Sequence, residues 1–113
     1  MSEWIATMPG LLSDVPVGMW HLVPRAKSFG LEGEASVDFI RRCIHALVDA
    51  GAKPVRGAGK PNAWILQPQY GADRYEIAEA VIAEWKAQGA PTPEPWTGLF
   101  FGLPRDYLAK TDR

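Results

Sequence analysis

The basic segment Arg56 to Pro61, RGAGKP, is where residue types and spacing come nearest to a ligand motif. Glycine amides can turn toward an anion, and Arg56 and Lys60 supply positive charge. A phosphate-binding loop, however, needs Ser or Thr after its lysine to hold magnesium, and it joins a strand to a helix. Here Pro61 follows Lys60 and an extended run comes next, so the segment reads as a hairpin turn with basic flanks. Taken together, Arg41, Arg42, Lys53, Arg56 and Lys60 are the candidate contacts for an anion or nucleic acid, with Trp64 as a stacking platform. Against them stand a net charge of −1 and the lack of the basic-glycine-aromatic series of an RNA-recognition strand. The ordinary account of such residues is a solvated face.

For catalysis the candidates are few. Cys43 and His45 stand two positions apart in a helical pattern and point about 200° away from each other. Cys43 falls among apolar neighbours, as a structural thiol does, and His45 is spaced to meet Arg41 and Asp49 one turn away on either side. His21, flanked by Trp20 and Leu22, is the one histidine that could line a small enzyme site, with Asp14 or Glu32. No HExxH, GxSxG or CxxC occurs, and no cofactor or metal site is expected. Five tryptophans are many for 113 residues. Trp64 and Trp85 fit core positions, whereas Trp4 and Trp96 lie in proline-flanked stretches and are the candidate partner contacts.

The elements that would position these residues are legible in part. Ser36 to Gly51 has a narrow polar stripe of Asp38, Arg41, Arg42, His45 and Asp49 on an otherwise apolar cylinder, with Ser36 as N-cap and Gly51 as the closing residue. A second helix runs from Asp73, with Glu76 completing a capping box, to about Gln88. It would bury Tyr75, Ile77, Ala78, Val81, Ile82 and Trp85. Extended stretches are expected at Val17 to Val23, at AKPVR and NAWILQP as a hairpin, and at Leu99 to Leu103. Residues 1–16 read as an irregular arm, Ala90 to Pro95 as a stiff connection, and 104–110 as a short helix begun by Pro104.

Length fits one α+β domain over residues 1–113, and 47% apolar with 22% charged residues is ordinary for a folded globular chain. The charges are unevenly placed, with a basic excess over residues 41–60 between acidic flanks. A lone cysteine, an opening MSEWIATMPG without the marks of a signal peptide, and no long apolar run together lead us to expect a cytoplasmic protein with no membrane association. The order strand, helix, strand, strand, helix, strand resembles the βαββαβ, ferredoxin-like arrangement. That resemblance implies a four-stranded antiparallel sheet with two helices on one face and the other face bare. The alternative is a winged helix, with LVDAG leading into a basic wing, set aside because prolines and glycines crowd residues 9 to 34 where that fold needs helices. The function expected from these features is a non-catalytic binding module acting through protein contacts, as a homodimer using the sheet face or the N-terminal arm. The alternatives are a nucleic-acid binder using hairpin 53–60 and a small enzyme with a site near His21.

Overall fold

The computed structural model describes residues 1–59 and 63–108. Along the chain come α1 (Ser2–Thr7), a 3-10 turn (Met8–Ser13), β1 (Val17–Gly18), α2 (Met19–Ser28), α3 (Gly33–Asp49), β2 (Lys53–Gly57) and β3 (Trp64–Leu66). A second 3-10 turn (Pro68–Tyr70), α4 (Arg74–Ala87), β4 (Leu99–Gly102) and α5 (Pro104–Leu108) complete it. The class is α+β: among the described residues, five helices and an open four-stranded sheet in which every pair is antiparallel, in the order β1-β4-β2-β3.

Both long helices form where the periodicity places them. α4 starts on the expected capping box: the Asp73 carboxylate accepts the Glu76 N–H at 2.9 Å, and Glu76 Oε1 accepts the Asp73 N–H at 3.3 Å. α3 closes at Gly51, whose φ of +98° lets the Ala52 N–H reach back to the Leu47 carbonyl at 3.1 Å. It begins three residues before the expected Ser36, at Gly33, with no side-chain cap, because Glu34 and Ala35 extend the helix toward its start. Tyr75, expected in the buried face of α4, is 59% exposed; it stands at the second residue of the helix, beyond the reach of α3's apolar arc, and packs edge-on to His45 instead.

The largest departure is at Val17 to Val23. Only Val17 and Gly18 are extended, and a helix begins at Met19 and runs through Pro24. Met19, Leu22, Val23 and Ala26 are buried at helical spacing, a pattern that flanking prolines hide in a seven-residue window. Pro24 is on the exposed side, where the carbonyl it deprives of a donor can turn to water. The N-terminal segment, expected to be irregular, is likewise helical over Ser2–Thr7 and Met8–Ser13, and Ile5, Met8 and Leu12 are buried in the main core.

This changes the architecture. Two helices, not one, connect β1 to β2, and β1 and β3 lie at opposite edges of the sheet, whereas the ferredoxin-like plait sets its first and third strands side by side. α3 packs between α2 and α4, and Val17, Leu99 and Phe101 join the helices in one core. Phe100 and Val55, paired across β4 and β2, point to the reverse face, yet both are buried. Among the described residues the reverse face is therefore covered, not bare as expected. Trp64, Trp96 and His21 lie over Phe100, and α5 sits against β4 and β3, with Asp106 accepting the Leu103 N–H at 2.8 Å. Gly18 fits this crowding because a Cβ there would stand 2.6 Å from the Phe100 ring.

Candidate functional site

The aromatic layer is built by three stretches far apart in sequence, residues 20–21, 64 and 96–100. Phe100, from the central strand, is its floor. Trp64 of β3 lies against it with centroids 5.0 Å apart, and Trp96 stacks nearly parallel at 6.1 Å and 6°. Trp20 and His21, in the first turn of α2, close the other side, Trp20 lying 5.1 Å from Trp96. Trp96 itself is 57% exposed, and its backbone holds φ at +62°, a region in which a bulky residue is strained. The buried Nε1–H of Trp20 has no partner among the described residues.

His21 is a structural member of this layer. Its Nδ1 accepts the Gly18 N–H at 2.9 Å, so the neutral ring carries its proton on Nε2. Neither Asp14 nor Glu32 hydrogen bonds to it among the described residues. Burial holds its pKa below the ordinary imidazole value, and burial followed by the Arg74 charge does the same for His45. Because both folded-state values are lowered, their contribution to stability is complete above the unfolded value of about 6.5 and is lost as pH falls through the folded values. Urea midpoints should therefore decline from neutral pH toward pH ~5. A His21→Asn, His45→Phe double variant, which keeps an acceptor for Gly18, should flatten that decline, and an unchanged slope would refute the assignment.

A second feature lies on the other side of β4. Tyr70, buried, donates its hydroxyl hydrogen to Glu84 Oε1 at 2.7 Å and accepts Arg56 Nη2–H at 2.8 Å, while that nitrogen also donates to Glu84 Oε1 at 3.0 Å. The hydroxyl's pKa is raised, chiefly by burial. The Arg56 and Glu84 side chains are 38% and 42% exposed and face a cleft of about 210 Å³ floored by Met19, Val81 and Leu99. Its outer wall is the proline strap between α4 and β4, fastened where Trp85 Nε1–H donates to the Pro91 carbonyl at 2.8 Å. Both described non-glycine residues with positive φ bound that strap, Ala90 at +50° and Trp96 at +62°. A larger hollow near the start of α3 is lined by Lys86, which pairs with Glu34 at 3.6 Å, and by Lys27, which donates to the Thr92 hydroxyl.

Of the five basic residues singled out from sequence, the four that the structure describes have different settings. Arg41 is held by Glu79 at 2.6 and 3.1 Å, Arg56 belongs to the Tyr70–Glu84 cluster, Arg42 points toward Ser2, and Lys53 is exposed at the start of β2. Lys60 lies outside the described residues. The exposed stripe of α3 carries Glu34, Asp38 and Asp49 against Arg42. Trp4 is half-buried, stacked 5.7 Å from Phe39 with the Arg25 guanidinium 5.2 Å from its centroid, while Trp96 is displayed. Cys43 is buried and burial pushes its pKa up to about 12, which keeps it a thiol at neutral pH. Among the described residues no group of three or more His, Cys, Asp or Glu is placed to hold a metal, and no helix is long and apolar enough to cross a membrane.

Sequence reasoning missed Glu84 and Tyr70, which stand 28 and 14 residues from Arg56 and have no motif spacing. Comparison with known proteins finds no matching family model, curated protein or solved structure.

Proposed function

We propose that this protein is a non-catalytic binding module that works through protein contacts, with Trp96 as the anchor and a second copy of the chain as the partner. The observation that carries this reading is the display of Trp96: a tryptophan more than half exposed, on a strained backbone, backed by Phe100 and Trp20. Strain of about 1–3 kcal/mol at such a residue is typical of recognition sites, and tryptophans backed by other rings are frequent interface anchors. A second copy suits the patch because its rings carry no charge and a net charge of −1 gives two copies little mutual repulsion. The finer fold we infer is a winged-helix-like order, with α1, β1, α2 and α3 preceding the β2–β3 hairpin and β4 added between β1 and β2. It does not bring a nucleic-acid function with it, since Arg41 and Arg56 are already matched by the carboxylates of Glu79 and Glu84. Light scattering over a micromolar to millimolar series should show a dimer that Trp96→Ala disperses without change in far-ultraviolet circular dichroism. A monomer throughout, or a dimer indifferent to Trp96→Ala, would overturn the proposal.

A further inference from the structure

We propose that the cleft under the proline strap is a binding site for a free α-amino acid with an apolar side chain, held as its zwitterion between Arg56 and Glu84. The two charges are adjacent in the same order of separation as an amino acid's own. Arg56 Nη2 and Glu84 Oε1 stand 3.0 Å apart, and Tyr70 behind them shares in both contacts. That arrangement uses one nitrogen of a guanidinium that has five N–H donors in all, and one oxygen of a carboxylate. The remaining N–H groups match a carboxylate, and Glu84 Oε2, which has no partner among the described residues, matches an ammonium. Neither charge need be stripped of its existing partner for the ligand to bind.

The rest of the cleft sets the size and polarity of the ligand. At about 210 Å³ it is smaller than the roughly 300–1,000 Å³ of sites for drug-sized molecules, and Met19, Val81 and Leu99 give it an apolar floor. A branched aliphatic side chain is the body that such a floor accepts. Pro91 and Pro93 form a stiff wall that loses little freedom when a ligand fills the space beneath, and Trp85, which fastens the wall, also lines the cleft.

The test is titration of the full chain with L-leucine, N-acetyl-L-leucine and L-leucinamide, followed by amide chemical shifts and tryptophan fluorescence. L-Leucine should move the Met19, Leu99 and Gln88 signals and saturate. Each blocked analogue, having lost one charge-assisted contact, should bind about tenfold or more weakly. Glu84→Gln should weaken L-leucine binding about tenfold or more but should not weaken that of N-acetyl-L-leucine, which has no ammonium to lose and whose carboxylate gains an Arg56 freed of its anionic partner. The proposal is overturned if L-leucine moves none of these signals at tens of millimolar, or if the three compounds bind alike. The analogue series on the natural chain decides the matter even where the variant does not fold.

Discussion

Phe100→Ala should lower stability by about 3–5 kcal/mol and abolish self-association as well. The ring is 1% exposed although it points away from the main helical core, and Trp64, Trp96 and His21 all rest on it. Its removal leaves a cavity on the reverse of the sheet and takes the backing from Trp96, so the two losses share one cause. Phe100→Leu retains more of the volume but not the flat stacking surface. It should recover much of the stability while dimerisation stays weak. Urea unfolding with light scattering on both variants makes the comparison, and a loss under ~1 kcal/mol for the alanine form would show that the aromatic layer is not a second core.

Trp85→Ala has the other large expected effect, again about 3–5 kcal/mol, because the residue is only 8% exposed and packs in the main core. Trp85→Phe separates its two roles. The phenyl ring keeps most of the apolar contact, while the donor to the Pro91 carbonyl is gone, at a cost near 1 kcal/mol. Released at that point, the strap between Ala90 and Gly98 should become the preferred site of limited proteolysis in both variants, with amino-acid binding in the cleft weakened in parallel. A strap equally resistant in Trp85→Phe would mean that the hydrogen bond does not fasten it.

Much of the helical structure was legible in the sequence for local reasons. Asp73 and Glu76 are three residues apart and satisfy each other's backbone within one turn, so no distant information is needed to see α4 begin. The polar stripe of α3 is equally local. At Met19 to Val23 local reading failed, because two prolines framed a window too short to display a helical period, and the helix depends on burial of Ala26 beyond it. Sheet order is a further step removed. Nothing near Leu99 to Gly102 indicates that this last strand separates β1 from β2, and the rings that cover the reverse face come from stretches too far apart to be paired by eye. Of the candidate contacts, Trp96 drew notice by its proline-flanked setting. The Arg56–Tyr70–Glu84 cluster left no trace in the sequence, since three ordinary residues acquire meaning only when β2, a 3-10 turn and α4 are brought together.

The position of β4 also governs how the molecule comes into being on the ribosome. Its residues pair with Val17 and Gly18 at one side and with Lys53 to Arg56 at the other, so a nascent chain has no continuous sheet until Gly102 has left the exit tunnel. Until then β1 has no strand beside it and the apolar surfaces that receive Phe100 and Phe101 are open to water. Closure therefore waits for β4 and joins segments more than eighty residues apart, a topology of distant pairings that favours slow, all-at-once folding.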